Sequence, residues 1–234
     1  MQSDAHTSKA FDAELEHIRS QLLEMGGLVE DQIRDAVQAL ENADLALVDH
    51  VIDSEFRVNQ LERDIDEACT QVIARRSPAA GDLRFLIMAY KTLTDLERIG
   101  DEAKKIALIA GGPHVHDRFV AGYPKIRLMS GTVIEMLRRA LDGIGRLEAQ
   151  DVPEVVRQDA EVNDSFRSIL RQLLTYMIED PRTISVSLDW VVIAKALERI
   201  GDHAKNISEY VIYMIKGTDV RHLPIEELEA AAKA

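Results

Sequence analysis

The sequence predicts an all-α fold built as two tandem antiparallel three-helix bundles, and three observations carry that prediction. Apolar residues recur at three- and four-residue spacing, the helical period, over long stretches. Helix breakers and aromatics are scarce: twelve Gly, six Pro and 5% aromatic residues, in a chain rich in Ala, Leu, Glu and Arg. The chain also repeats itself at a separation near 100 residues, too long for a solenoid repeat and about right for a three-helix unit.

The elements follow in order. The first helix is expected over about 11–43, where Leu15, Ile18, Leu22, Met25, Val29, Ile33, Ala36 and Leu40 form one stripe. The second is expected over 45–76 and the third over 79–109. After a Gly/Pro/His loop, "GGPHVHDRFVAG" at 111–122, come a fourth over 124–149, a fifth over 152–179 and a sixth over 182–216. Two starts are punctuated alike: Ser77 and Asp180 read as N-caps, with Pro78 and Pro181 at the first helical position. The resulting division is a first bundle over 1–110 with a flexible tail at 1–10, a linker at 111–122, a second bundle over 123–217, and a C-terminal tail at 218–234 carrying a short frayed helix.

The duplication is explicit. Met25, Gly27, Val29 and Ala36 match Met129, Gly131, Val133 and Ala140, and "EFRVN" (Glu55–Asn59) matches "DAEVN" (Asp159–Asn163), all 104 residues on. "LERIGD" occurs at Leu96–Asp101 and again, 101 residues later, at Leu197–Asp202. Duplicated halves commonly pack about a pseudo-twofold axis, and that arrangement is expected here.

Charge and composition narrow the function. The 28 Lys and Arg against 41 Asp and Glu give a net charge of −13, which repels nucleic acid and anionic membranes and suits cations or basic partner surfaces. Hydrophobic residues make up 46% and charged residues 29%, the balance of a folded soluble protein. The single cysteine, Cys69, excludes an intrachain disulfide and points to a reducing compartment. The N-terminus carries no signal-peptide pattern, and no apolar run reaches the roughly 20 residues that span a bilayer.

Three of the six residues in LERIGD are charged, so apolar packing alone does not account for the repeat. Glu97 and Asp101, like Glu198 and Asp202, are four apart and share a helix face, where like charges repel. A duplicated pair of this kind calls for a compensator: a basic residue, with Arg98 and Arg199 at hand, or a cation. Gly100 and Gly201, beside the Asp, each cost about 1 kcal/mol in a helix interior and mark a close approach of backbone or ligand. The second helices add Glu55 with Asn59 and Asp159 with Asn163, again four apart. If the neighbouring helices run antiparallel, two oxygen-bearing ladders face each other in each half. Such a site, without Cys or His at matching places, suits Mg²⁺, Mn²⁺, Ca²⁺ or iron better than Zn²⁺ or copper, and carboxylates can bridge more than one ion. One turn further on the copies differ: Lys105 in the first, Asn206 in the second.

Other candidates are weaker. Glu62 and Asp66 read as surface charge, because Phe166 and Leu170 stand in the equivalent places. Glu14-x-x-His17 fits a di-iron pattern once only, and His114 and His116 are expected to be exposed in the linker. Arg75, Arg76, Arg84 and Arg182 cluster near helix ends, where they serve a phosphate or an acidic partner, or only cap and solvate. No nucleophile–base pair and no Gly-rich phosphate loop is present.

The duplicated "LERIGD", with "MGGLVE", "IDEAC" and "LLTYMIEDPRTIS", resembles the PhoU family of bacterial phosphate-transport-associated regulators over about residues 10–225. The resemblance implies two three-helix bundles related by a pseudo-twofold, and metal clusters on Glu97, Asp101, Glu198 and Asp202 with Glu55 and Asp159 across the bundle; Asn59 and Asn163 stand where an acid can occur. It implies a cytoplasmic, non-catalytic and commonly homodimeric adaptor between the phosphate ABC transporter ATPase and the phosphate-sensing histidine kinase, which restrains uptake and the starvation response. Read from the residues alone, the competing function is a metal-dependent enzyme using multinuclear carboxylate sites.

Overall fold

The first helix, α1 (Gln2–Asn42), buries Ile18, Leu22, Met25, Val29, Ile33 and Ala36 completely, along the stripe the sequence predicts. No Pro or Gly interrupts residues 2–25, and the helix is continuous back to Gln2. The chain turns through Ala43, at a positive φ of 55°, and Asp44 caps α2 (Leu45–Arg76) by accepting the Ala46 N–H at 2.9 Å. The remaining elements are α3 (Ala80–Ala110), α4 (Tyr123–Arg146), α5 (Val152–Glu179), a 3₁₀ turn at Pro181–Thr183, α6 (Ile184–Lys216) and α7 (Ile225–Lys233). The computed structural model describes residues 2–113, 123–221 and 223–233; His114 and His116 lie outside them. All regular structure among the described residues is helical.

The two proline-marked starts are not equivalent. Asp180 caps as expected, accepting the Arg182 N–H at 3.1 Å. Ser77 instead ends α2 in the left-handed region (φ 46°), and the residue capping α3 is Ala79, without a side-chain hydrogen bond. With α2 running unbroken to Arg76, Ser77 has to turn the chain, and Pro78 disfavours helical backbone in the residue before it. At the end of α4, Leu147 (φ 57°) turns the chain and Glu148 N–H closes on Gly143 O at 3.1 Å, so the helix stops at Arg146 rather than near 149.

Helices α1, α2 and α3 form one bundle and α4, α5 and α6 the other. The bundles join where α3 packs on α6 and α1 packs on α4, each element against its own repeat counterpart. Equivalent meeting equivalent is the contact pattern of a two-fold. Both pairs run antiparallel: Arg84 near the start of α3 donates to Met214 O at the end of α6, while Arg138 of α4 reaches back to Glu30 of α1. The helix axes come close at Gly26, where a Cβ would lie 2.5 Å from the Leu141 side chain.

The expected tail is a docked element. Val220 and Leu228 are buried, α7 lies on α5, and Arg157 ties α5 to Glu229. Glu209 of α6 is nearly fully buried, facing Lys205 on its own helix, Asp159 of α5, and Asp219 and Arg221 of the connection to α7. Cys69 is a core thiol: burial, then the charge of Asp66, pushes it up to about 12, which keeps it unreactive.

Two expected outcomes follow from this packing. Gly26→Val overfills the α1–α4 contact and lowers stability in urea melts by about 1–3 kcal/mol. Burial raises Glu209 from its usual 4.5 to about 7, with Lys205 and Arg221 opposing and Asp159 and Asp219 reinforcing. The folded protein therefore binds more protons than the unfolded chain between those values, so this group's contribution to stability falls as pH rises from 4.5 to about 7 and is flat above. Thermal melts of Glu209→Gln are expected to lose that part of the pH dependence and to gain stability relative to the parent at pH 8.

Candidate functional site

Each LERIGD segment uses every face of its helix. Leu96, Ile99, Gly100 and Ala103 face the core of the first bundle, and Leu197, Ile200, Gly201 and Ala204 that of the second. The two glycines admit neighbours that are largely repeat equivalents: a Cβ at Gly100 would meet Gln32 Oε1 at 3.1 Å and then Val58 and Val29, and one at Gly201 would meet Val162, Val133 and Met136. Their purpose is close helix packing inside each bundle, not approach to a ligand.

Glu97 and Asp202 lie in the field of acids on the second helix of their bundles, while Asp101 is exposed at the edge of the cleft beside Glu102. In the first bundle, burial raises the Glu97 carboxyl, and Asp101, Glu62 and Glu55 raise it further against the pull of Arg98. These are the fields of a carboxylate cluster shared between α2 and α3. Glu62, expected as plain surface charge, is half-buried and belongs to this cluster, while Asp66 is exposed. Asn59 is half-buried one turn beyond Glu55. In the second bundle, burial raises Asp202, with Asp159 and Glu198 adding to it and Lys205 and Lys195 opposing. Asp159 is only 7% exposed; its Oδ2 accepts Asn163 Nδ2 at 3.4 Å, and its Oδ1 is buried without a hydrogen-bond partner. Asn206 lies half-buried one turn past Asp202.

The compensator in both repeats is a lysine that the sequence reading passed over. Lys104 pairs with Glu55, and Lys205 pairs with Asp159 at 3.0 Å. The two lysines are repeat equivalents, 101 residues apart, and the acids they pair with are repeat equivalents at 104. Burial alone would lower the Lys205 ammonium, but the hydrogen bond from it to Asp159 and the charges of Asp159, Glu209 and Asp202 raise it on balance. Lys195 adds a second ammonium at Glu198. Arg199 does not neutralise Glu198 at all. It crosses to the other bundle and donates to Glu102 at 2.9 Å.

That crossing is part of a polar seam between α3 and α6. Glu102 is 5% exposed and takes Arg199 on one oxygen and Lys105, at 2.6 Å, on the other. Its repeat equivalent, His203, is also buried, but pairs with Asp95 at 2.7 Å. The sequence signal for both was the mismatch right after LERIGD, where Glu stands in one copy and His in the other.

Among the described residues, no three Asp, Glu, His or Cys side chains are gathered into a ready metal shell. The donor chemistry nonetheless fits a hard cation: Glu97 and Asp202 are raised by burial and then by neighbouring carboxylates, and Asp159 has a buried unpaired oxygen. What stands at Glu55 and Asp159 is lysine nitrogen, in the position of a counter-ion.

The outlying basic residues are mostly committed. Arg76 forks onto both oxygens of Glu14 at 2.7 and 3.1 Å, and Arg75 lies beside the same acid. The Glu14–His17 pair is thereby an arginine partner and its neighbour. Arg84 holds Met214 O, and Arg182 forks onto Asp180. Arg84 and Arg182 sit at opposite ends of α6, about 45 Å apart along a helix of this length, so the four arginines do not form one anion site. No helix among the described residues is long and apolar enough to cross a membrane.

Comparison with known proteins agrees with this duplicated architecture. A family model described as the PhoU domain matches residues 22–110 and, a second time, residues 126–211. A Pseudomonas putida protein named phosphate-specific transport system accessory protein PhoU homolog is 48% identical over 225 residues, covering 96% of this chain and 88% of that protein. The Escherichia coli (strain K12) protein of the same name, without the word homolog, is 40% identical over 228 residues, covering 96% and 92%. The crystal structure of PhoU from Pseudomonas aeruginosa matches with a TM-score of 0.86 at 47% identity, over 89% of this chain and 100% of that one. That of the phosphate transport system regulatory protein PhoU from Streptococcus pneumoniae matches at 0.82 and 25% identity, over 90% and 99%. With a PhoU domain in each half and the same two-bundle fold throughout, the chain belongs to the PhoU family.

Proposed function

We propose that this protein is a non-catalytic regulator accessory to a phosphate transport system. The observation that carries the reading is the pair of matched PhoU domains in a chain whose relatives are named accessory or regulatory proteins of that system. It acts in the cytoplasm, as a homodimer, between the ATPase of a phosphate ABC transporter and a phosphate-sensing histidine kinase, restraining uptake and the starvation response when phosphate is plentiful. The net charge of −13 suits docking on basic partner surfaces.

Divalent or iron-type ions (Mg, Mn or Fe) belong to this reading. Glu55, Glu97 and Asp101 would hold them in the first repeat, with Asn59 beside them, and Asp159, Glu198 and Asp202 in the second, with Asn163 and Asn206 beside them. A bound cation supplies charge compensation and links the second and third helices of each bundle. Lys104 and Lys205 compete with it for Glu55 and Asp159, so metal occupancy releases two ammonium groups.

The regulatory and the metal proposals are tested separately. Deleting the gene in its host is expected to leave a phosphate-starvation reporter switched on in phosphate-rich medium, and the tagged protein is expected to retain the ATPase and the kinase in a pull-down. A reporter that stays repressed, with neither partner retained, sinks the regulatory reading. For the metal, elemental analysis of protein purified without chelator is expected to lose content in Asp101→Ala and again in Asp202→Ala. Lys104→Met and Lys205→Met are expected to bind the same ion about tenfold more tightly, the effect of about 1.4 kcal/mol of removed competition. Metal content indifferent to all four substitutions would mean that the lysines alone balance the acids.

A further inference from the structure

The seam between α3 and α6 opens into a cleft of about 640 Å³ on the first-repeat side. Arg98, Lys104, Lys105 and Arg199 line it, against Asp101 and Glu102. Lys104 is already paired with Glu55, which leaves Arg98, Lys105 and Arg199 against Asp101 and Glu102, a small local excess of positive charge in a chain of net −13. The cleft is built rather than incidental. Glu102, buried beneath it, holds Arg199 and Lys105 on its two separate oxygens and so fixes where both cations stand. Both remain about half exposed, with donors to spare: a guanidinium has five N–H groups and an ammonium three. Arg98 is exposed and, among the described residues, makes no hydrogen bond or ion pair, only a longer-range attraction to Glu97.

The duplication explains why Arg98 is free. Its repeat equivalent, Arg199, is held by Glu102. A faithful two-fold would offer Arg98 a glutamate at 203, but the residue there is His203, which turns to Asp95. The same divergence puts Lys105 opposite Asn206 and Leu108 opposite Glu209. The Lys105/Asn206 and Leu108/Glu209 changes make the first-repeat side more cationic and less acidic than its counterpart, while the Glu102/His203 change removes the acid that would have held Arg98. One half of the seam has thus been given an unpaired arginine, an added lysine and an apolar wall at Leu108.

We propose that this cleft binds an oligophosphate, either pyrophosphate or the phosphate tail of a nucleotide, through Arg98, Lys105 and Arg199. Arginine forks and lysine point charges are the groups that recognise phosphate oxygens. A single inorganic phosphate fills a small part of such a volume and meets few of the cations at once, whereas clefts of roughly 300–1,000 Å³ are the size that holds drug- or nucleotide-sized ligands. The assignment rests on the seam alone and stands or falls separately from the regulatory reading.

Calorimetry on the full chain, stripped of metal with chelator and dialysed, is the test, with inorganic phosphate, pyrophosphate and ATP as separate titrants. Pyrophosphate and ATP are expected to bind with dissociation constants below about 1 mM, at least tenfold tighter than inorganic phosphate, each such tenfold step being about 1.4 kcal/mol. Arg98→Gln is expected to weaken both by about tenfold or more, and Lys105→Gln likewise, while Arg182→Gln changes nothing. Arg98 has no partner among the described residues, so Arg98→Gln keeps the parent melting temperature and decides the matter even if Lys105→Gln unsettles Glu102. Binding by ATP without pyrophosphate would place recognition on the base and overturn the proposal. So would phosphate binding as tightly as pyrophosphate, silence from all three titrants at millimolar concentration, or binding that survives Arg98→Gln unchanged.

Discussion

The antiparallel packing of α3 on α6 is the constraint on which the other features depend. It is the place where the two bundles become one molecule, and it is made by the same two helices that carry the acids. A helix has one face for its bundle core, and here that face is set by Leu96, Ile99 and Ala103, or Leu197, Ile200 and Ala204. The face toward the second helix then carries the carboxylate cluster, and the face toward the other repeat carries the polar seam. Rotating either helix to improve one face would spoil the other two. The glycines permit this arrangement by letting Val58 and Val162 approach their helices directly.

Burying ionisable groups in such a seam is costly unless each is paired. Glu102 meets two cations, and His203 meets Asp95. These pairs act as a register: a shift of α3 against α6 by one turn, about 5.4 Å, would strand Glu102 in an apolar interface. The carboxylate clusters face the opposite problem. Like charges brought together by the core have to be balanced, and the chain carries its own ammonium groups at Glu55 and Asp159 for that purpose. A cation entering these sites would exchange with an internal charge rather than fill an empty one. Its net effect on stability would therefore be a difference between two compensators, smaller than its direct attraction to the acids.

Much of this was legible in the sequence. The apolar stripes gave every long helix, because a period of three and four over thirty residues has few other solutions. The duplication predicted a pseudo-twofold, and the packing of α3 on α6 and of α1 on α4 fits it. The failures have local causes. Ser77-Pro78 looks like a helix start, but the preceding helix runs into it and converts the serine to a turn residue. Glu62 was set aside because its counterpart is Phe166, although its seven-residue spacing from Glu55 places it on the same face. Comparing repeats favours what both copies need and hides what one copy alone uses. Lys104 and Lys205 were missed for another reason: i,i+4 spacing within one helix reveals neighbours on that helix, not the acid one helix away.

The divergence just after LERIGD has a physical meaning beyond drift. A pseudo-twofold seam with identical sides makes every contact twice, residue i with j and j with i, so that an Arg–Glu pair on one side would recur on the other. Replacing Glu by His at 203 turns that buried partner toward Asp95 and leaves Arg98 without the partner its equivalent has. Lys105 then reinforces Glu102 on the one side only. The core and the carboxylate clusters need both repeats alike, since each bundle has to close in the same way. The seam has no such requirement, and it is there that the two halves of the molecule differ, one side presenting Arg98 and Lys105 at a cleft, the other burying a His203–Asp95 pair.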